Sequence, residues 1–352
     1  MGANRERSRV VLDALREFPH RTAVLAGRLA SGNAAMEAWL SRVHEAGRQP
    51  VFIVMIERMG DLVACSPIAK QLKQRDPSTS IAWVCSSKYS DVFIGNPHVD
   101  VVFHEESLAG WLLSKRRLSD PLTVHELFLD SQRCCWTGIH LPGRKSGVNH
   151  QNYLASATNL LLSYARAAGL DEIQDTEPDL YLPGPRPPLP QSFQDRPLMV
   201  VHFDSEDPDR RLSRDAAARL VNRAAEKGWA IVELGLRPIA SRVDKRVYFP
   251  GASLRMADHI LLVKFASHFC GVDSAFLHCA NAYRIPSTLL LGKFRHFTSY
   301  QTFSGSFFSS GQSVLLRGNV AMAKADPDLP ASLVPNAPPQ SPVRETRNAC
   351  QA

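Results

Sequence analysis

The sequence lacks several patterns that would assign a chemistry directly. Its seven cysteines are scattered and odd in number, and none stands in a pair or cluster with metal-ligand spacing. A bound metal is therefore not expected. The Walker phosphate loop, the GxGxxG dinucleotide loop and the GxSxG elbow are all missing, which removes the usual support for a kinase, a dehydrogenase or a hydrolase.

Long apolar runs are also missing, and the basic N-terminus is not followed by an apolar segment of the signal-peptide type. We expect a cytoplasmic protein whose cysteines are free, buried thiols. The net charge of +7 favours an anionic partner, although it equally fits an ordinary soluble enzyme. Because basic and aromatic residues do not interleave, we do not expect nucleic acid to be that partner.

Residues 1–48 carry eight arginines against five acidic residues, and their apolar positions recur at helical spacing. This predicts a helical N-terminal extension. Two roles stay open for it: peripheral binding to the inner face of an anionic membrane, or packing against the domain that follows.

From residue 51 onward, short apolar runs alternate with amphipathic segments, which indicates parallel sheets covered by helices. We expect a first Rossmann-like domain at 49–182, a proline-rich linker at 183–197, a second Rossmann-like domain at 198–325 and a flexible tail at 326–352. The predicted strands and helices of each half are the following. The first half has strands 51–56, 81–85, 99–103 and 126–130 with helices 61–75 and 151–168; the second has strands 198–203, 230–234, 267–272 and 287–291 with helices 214–227, 254–266 and 274–283.

The first candidate loop comprises Arg58, Met59, Gly60 and Asp61, between a predicted strand and a predicted helix. Loops at the carboxyl ends of parallel strands are where such sheets bind ligands. Gly60 would allow a tight turn, and Asp61 would stand at the helix start. The alternative is that Asp61 only caps the helix.

The second candidate loop runs from Asp273 to His278, again from a strand into a helix. A helix N-terminus presents unpaired N–H groups, so the amides at Ser274 and Ala275 are candidates for holding a diphosphate. The alternatives are a capping role for Asp273 and a core role for His278.

The third candidate loop contains Arg210 and Arg211, after the first strand of the second domain. A guanidinium pairs well with phosphate oxygens. The alternative is a solvated basic pair beside acidic neighbours, and the sequence does not choose between the two arginines.

Together these segments resemble glycosyltransferase family 9, the ADP-heptose:lipopolysaccharide heptosyltransferases. The similarity covers roughly residues 51–294 in two ordered blocks. The matching positions are Arg58 to Val63, Ser66-Pro67, Leu72-Lys73, Pro77, Ile81 to Val84 and Asn96 to Asp100 in the first block, and Phe249 to Leu254, Gly271 to Ala282, Ile285-Pro286 and Leu291-Gly292 in the second.

The resemblance implies a GT-B fold, with two Rossmann-like domains facing a cleft and an added N-terminal helical segment. It implies that Asp61 is the catalytic base, with Arg58, Met59 and Gly60 on the acceptor side. Asp273 would contact the donor sugar, Arg210 the donor phosphates, and Ser274, Ala275 and His278 would complete the donor site. The expected reaction is a metal-independent, inverting transfer from an ADP-heptose-like nucleotide sugar, with no cofactor, to a glycan or glycolipid acceptor.

The chain departs from the family at Ala275, where glycine is usual, and from Lys293 to Thr298, where Gly-Pro-Thr is common. Two other functions therefore stay open. One is a transferase that uses a UDP- or GDP-hexose on capsule, O-antigen or protein. The other is a catalytically weak scaffold that binds a nucleotide sugar or a partner protein.

Overall fold

A computed structural model describes residues 19–118, 122–138, 146–154, 159–297, 300–318 and 320–338. The chain divides into two compact units. Unit 1 contains the described residues up to Tyr153 and the segment Leu160–Asp175, and unit 2 contains Leu154, Asn159 and the described residues from Thr176 onward. Each unit holds one parallel sheet.

The sheet of unit 1 has the strand order β3-β2-β1-β4, and its strand pairs are all parallel. Its strands are β1 (Gln49–Val54), β2 (Thr79–Cys85), β3 (Val101–His104) and β4 (Thr123–Glu126). Its helices are α1 (residues 19–31), α2 (Ala34–Glu45), α3 (Met59–Cys65), α4 (Pro67–Arg75), α5 (Leu108–Lys115) and α6 (Leu160–Ala167). The central strands are buried along nearly their whole length, as a parallel sheet with two covered faces requires.

Helix α2 of the N-terminal segment packs against this sheet. On α2, Met36, Trp39, Leu40 and Val43 are buried. The Trp39 ring meets the rings of Phe52 and Phe103 edge-on, with centroids 5.4 and 5.9 Å apart. The apolar face of α2 therefore belongs to the core of unit 1, whereas residues 1–18 lie outside the described part of the chain.

Three sequence predictions for unit 1 were wrong in extent. The single helix expected at 61–75 is two helices, α3 and α4, which meet at Ser66 and Pro67. Pro67 begins α4 because proline fits the first turn of a helix but lacks the N–H that a helix interior needs. The strand expected at 126–130 ends at Glu126. The helix expected at 151–168 begins only at Leu160, as α6. Residues 151–154 form turns instead, and residues 155–158 lie outside the described part of the chain.

The sheet of unit 2 has the order β10-β9-β8-β5-β6-β7, again with parallel pairs. Its strands are β5 (Leu198–His202), β6 (Ala230–Glu233), β7 (Val247–Tyr248), β8 (His268–Val272), β9 (Ser287–Leu291) and β10 (Val314–Arg317). Its helices are α7 (Arg214–Glu226), α8 (Met256–Lys264), α9 (Ala275–Ala282) and α10 (Asp328–Ser332). The seven elements predicted for this half are confirmed, with ends within two residues. The short edge strands β7 and β10 and helix α10 were not predicted.

The segments expected to be a linker and a flexible tail both pack on unit 2. In the linker region, Leu189 and Phe193 are buried, and Lys264 donates a hydrogen bond to the Leu182 carbonyl oxygen at 2.9 Å. In the tail, Val334 is buried and the Trp229 indole donates to the Pro335 carbonyl oxygen at 2.9 Å. Composition alone underestimated how well these segments pack, because a few apolar side chains and backbone carbonyls suffice to anchor them. Residues 339–352 lie outside the described part of the chain.

Six cysteines of the described residues are free thiols, and five of them are buried, Cys135 being exposed. This confirms most of the expectation for the cysteines. None of the described helices is both long enough and apolar enough to cross a membrane.

Candidate active site

Both sheets reverse their strand order beside the first strand of the unit. In unit 1 the reversal lies between β1 and β4, and in unit 2 it lies between β5 and β8. Such switch points open a crevice at the carboxyl ends of the strands, where open α/β sheets bind ligands. The three candidate loops follow β1, β5 and β8, so the fold puts each of them at a switch point.

In unit 1 the turn after β1 is made by Arg58, not by Gly60. Arg58 has φ 72° and ψ 107° and precedes the first residue of α3. Gly60 is the second residue of that helix and is buried, as is Met59. The turn expected at Gly60 was therefore wrong, and the exposed side chain that the loop presents is the Arg58 guanidinium. Backbone strain of this kind costs about 1–3 kcal/mol and persists where the surroundings enforce it.

Asp61 is the third residue of α3, so the alternative that it is the N-cap is wrong. Its carboxylate accepts a hydrogen bond from the Tyr164 hydroxyl of α6, with 2.8 Å between the oxygens. Burial raises the pKa of Tyr164 well above its ordinary value, and the negative charge of Asp61 raises it further. Tyr164 is therefore protonated and holds the carboxylate in one orientation.

In unit 2, Arg210 and Asp273 form an ion pair that joins the loops after β5 and β8. Nη1 of Arg210 lies 2.8 Å from Oδ2 of Asp273, whose side chain is only 6% exposed. The Thr302 hydroxyl donates to Oδ1 of Asp273 at 3.0 Å, and the Arg210 guanidinium carbon lies 4.5 Å from the centre of the Phe294 ring. The cation is thus fixed by a carboxylate and by an aromatic face.

The helix that follows Asp273 begins at Ala275 and is capped by Ser274, whose hydroxyl accepts a hydrogen bond from the Leu277 N–H at 3.4 Å. The capping role considered for Asp273 was therefore wrong. Since the first N–H groups of a helix have no partner inside it, the amides at this end are suited to an anion. Ala275 has an ordinary helical backbone, so alanine in place of the family's glycine introduces no strain here.

His278 lies inside α9 and is 2% exposed. Burial lowers its pKa to about 4, against a smaller opposing effect of Asp273, so the ring is neutral near pH 7. Among the described residues its Nδ1 atom has no hydrogen-bond partner. A contact of His278 with a donor stays a prediction.

Arg211 forms an ion pair with a different carboxylate from the one that Arg210 contacts. Its Nε atom lies 2.8 Å from Oδ1 of Asp204, and its Nη2 atom donates to the Ser205 carbonyl oxygen at 3.0 Å. Of the two arginines, Arg210 is the one that lies beside Asp273 and the start of α9. Within the described residues, no group of three or more His, Cys, Asp or Glu side chains is arranged to hold a metal ion.

Sequence reasoning missed three side chains that complete these arrangements: Tyr164, Phe294 and Thr302. Tyr164 is 103 residues from Asp61 in sequence, and Thr302 is 29 residues from Asp273. Tyr164 stood in a helical segment that also contains Ser163 and Arg166, so its hydroxyl gave no distinct signal. Local patterns do not show which distant residue meets which loop.

No protein-family model matches the sequence, and no curated protein matches it. Solved structures do match its fold. The glycosyl transferase family 9 protein from Veillonella parvula DSM 2008 aligns at 12% identity over 76% of this chain and 85% of its own, with a TM-score of 0.54. Escherichia coli ADP-heptose LPS heptosyltransferase II aligns at 13% identity over 80% and 96%, with a TM-score of 0.55, and E. coli heptosyltransferase WaaC with ADP at 13% over 81% and 95%, with a TM-score of 0.53.

These similarities, with the two parallel sheets, confirm the predicted α/β fold class of GT-B-like structures. At such low identity they establish the fold alone, and a fold hosts more than one chemistry. The chemistry depends on the side chains at the switch points.

Proposed function

We propose that the chain is a glycosyltransferase that moves a sugar from a nucleotide-sugar donor to an acceptor hydroxyl. The observation that carries this proposal is the Arg210–Asp273 ion pair beside the N-terminus of α9, at the switch point of unit 2. A fixed cation and free helix amides stabilise the negative charge of a departing diphosphate. The GT-B-like fold adds support, because the three solved structures described above are glycosyltransferases.

The donor phosphates would contact Arg210 and the amides at Ser274 and Ala275. Asp273 would accept hydrogen bonds from donor sugar hydroxyls, because its negative charge disfavours direct contact with phosphate. Of the solved structures that share the fold, WaaC was solved with ADP, and another is an ADP-heptose transferase. We therefore propose an ADP-heptose-like donor and a glycan or glycolipid acceptor.

In the proposed reaction, the acceptor oxygen attacks the anomeric carbon while its proton passes to the Asp61 carboxylate. The bond from that carbon to the phosphate oxygen breaks, and the nucleoside diphosphate leaves with the electron pair, so the anomeric configuration inverts. Tyr164 acts as a positioning residue because its hydrogen bond orients the base. Arg58, the exposed cation of the same loop, would bind the acceptor. General base catalysis of this kind contributes about 10²–10⁴-fold.

The first test is a thermal-shift screen of the whole chain against ADP-, UDP- and GDP-sugars. A donor present at about 100 times its dissociation constant should add about 2.7 kcal/mol to the free energy of unfolding. Stabilisation by a UDP- or GDP-sugar alone would replace the ADP-heptose assignment. A chain that responds to none of the three would contradict donor binding.

The second test is the substitution Asp61→Asn. The amide oxygen of the new side chain can still accept the hydrogen bond from Tyr164, so we expect the free energy of unfolding to change by less than about 1 kcal/mol. Turnover should fall by roughly 10²-fold or more, and donor affinity should stay close to wild type. Asp171→Asn is the matched control, because it removes an exposed carboxylate from the same unit. A folded Asp61→Asn protein with near wild-type turnover would end the base assignment.

A further inference from the structure

A second basic pocket lies in unit 2, between the start of α7 and the loop that follows β6. Its volume is about 340 Å³, within the range of small-ligand sites. Four arginines line it: Arg211, Arg214, Arg237 and Arg242. The described residues around it include Pro208 and Arg211, which belong to the same loop as Arg210, but neither Arg210 nor Asp273 themselves.

The charges of this pocket are strongly unbalanced. Asp204 is the single carboxylate among its described lining residues. Two of the four arginines hold that group, since Nε of Arg211 lies 2.8 Å from Oδ1 and Nε of Arg237 lies 2.9 Å from Oδ2. The exposed side chains of Arg214 and Arg242 make no hydrogen bond or ion pair with any described residue. The guanidinium groups of Arg214 and Arg242 are thus available to a ligand. Because Asp204 neutralises only one of the two arginines that hold it, a third positive charge remains in the pocket.

The loop that carries Arg237 and Arg242 is fixed by hydrogen bonds to a buried glutamate, Glu233. Glu233, at the end of β6, is 1% exposed. Its carboxylate accepts hydrogen bonds from the backbone N–H groups of Ile239, Ala240 and Ser241 at 2.8, 3.0 and 2.8 Å. A loop fixed by three charge-assisted hydrogen bonds presents its arginines without a large ordering cost on binding.

The opposite side of the pocket is the N-terminus of α7, a helix of 13 residues. The Ser213 hydroxyl caps it by accepting from the Ala216 N–H at 3.2 Å. The helix dipole favours an anion at this end, and planar guanidinium groups match the oxygens of phosphate in pairs. Pocket size, excess charge and helix dipole therefore favour the same ligand.

We propose that this pocket is a second phosphate-binding site, whose ligand is a phosphate monoester or a diphosphate. Two sources share that chemistry: a soluble phosphate compound and the headgroup of a phospholipid. Leu236, at the start of the same loop, is 88% exposed, so a lipid would have an apolar contact beside the headgroup.

Calorimetric titration with inorganic pyrophosphate tests the proposal on the full chain. An Arg210→Gln background weakens pyrophosphate binding at the donor site equally in every sample. In that background, Arg214→Gln with Arg242→Gln should raise the dissociation constant by about tenfold or more, because two charge-assisted contacts are lost. The control is Arg219→Gln with Arg223→Gln, which removes the same charge from α7 outside the pocket. An equal dissociation constant in both double variants would overturn the proposal, as would a wild-type pocket that binds no pyrophosphate.

Vesicles that contain phosphatidic acid identify the source. If the ligand is a lipid, Leu236→Ser should weaken vesicle binding and leave pyrophosphate binding unchanged. If the ligand is soluble, pyrophosphate binding should depend on Arg214 and Arg242 while vesicle binding does not. Each result supports the phosphate site, and independence of both bindings from these two arginines would overturn it.

Discussion

The sheets of units 1 and 2 are both parallel and both reverse their strand order beside the first strand of the unit. Each switch point carries an arginine and an aspartate, but the two units hold these side chains in different ways. The loop after β1 presents Asp61, oriented by Tyr164. The loops after β5 and β8 present Arg210, held between Asp273 and Phe294, beside a helix N-terminus. The same architecture thus orients a carboxylate by a tyrosine hydroxyl in unit 1 and pairs a carboxylate with a cation in unit 2. The difference lies in a few side chains at equivalent strand ends.

The units also differ in the titratable groups that they bury. In unit 2, burial lowers the pKa of His202, His268 and His278 to about 4 in each case. In unit 1, burial raises the pKa of the Glu105 carboxyl, against the opposing effects of Ser114 and Arg28. The pKa of Glu106, in the same unit, is lowered because hydrogen bonds from Ser86 and Ser87 outweigh its burial. We therefore expect acid to destabilise unit 2 more than unit 1.

The largest expected effect is a selective loss of stability of unit 2 in mild acid. In the unfolded chain these three imidazoles take up a proton near their ordinary pKa of 6.5, but in the folded unit they do so only near pH 4. Their contribution to stability is complete above pH 6.5 and falls as the pH decreases toward 4, by about 3 kcal/mol for each histidine. In unit 1, the raised pKa of Glu105 offsets part of the stability that carboxyl groups such as Glu106 lose in acid.

Fluorine NMR of protein labelled with 5-fluorotryptophan can follow the two units separately. Of the five tryptophans, Trp229 lies in unit 2 and Trp39, Trp83, Trp111 and Trp136 lie in unit 1. Unfolding in urea would be followed at about pH 7 and at about pH 4.5, a range that covers most of the histidine titration. Between the two pH values, the urea midpoint reported by Trp229 should fall more than the midpoints reported by the other four tryptophans. An equal fall for all five signals, or a larger fall in unit 1, would contradict the assigned difference.

The next effect concerns the adjacent arginines of unit 2. Arg210→Gln should raise the donor dissociation constant by about 10–100-fold, the value of a hydrogen bond to a charged group. Arg211→Gln should change it by less than about threefold, because Arg211 is engaged by Asp204 and the Ser205 carbonyl. Donor titration of both variants, with melting temperatures to establish that each is folded, distinguishes the two. A larger effect at Arg211 would move the phosphate contact to that residue.

The smallest effect concerns the turn of unit 1. Arg58 has a positive φ, which glycine adopts freely and which costs other residues roughly 1–2 kcal/mol. Arg58→Gly should therefore be about 1 kcal/mol more stable toward unfolding than Arg58→Ala, although both lack the guanidinium. Both variants should lose acceptor affinity equally. Chemical unfolding and acceptor KM measure the two quantities, and an Ala variant as stable as the Gly variant would show that the turn relaxes.

The sequence was most informative where one segment carried its own signal. The apolar runs at β2, β5 and β8 predicted the central strands, because strands of a parallel sheet are buried on both faces. Loop positions after β1, β5 and β8 followed from the same alternation. Conversely, β7 was missed because two residues carry too little periodicity. The tail 326–352 was expected to be flexible from its low apolar content, and the packing of its described part stayed hidden because partners such as Trp229 lie far away in the chain.

The sequence by itself determined the alternation of strands and helices, the α/β fold class and the strand ends that carry Asp61, Arg210 and Asp273. The tertiary structure decided which residues meet: Tyr164 with Asp61 across 103 residues, and Arg210 with Asp273 across 63. It also decided that α2 belongs to the core of unit 1 and that Arg58 makes the turn. The physical reason is that helix and strand propensities act within a few residues, whereas these contacts arise only when the chain closes long loops to bury its apolar surface.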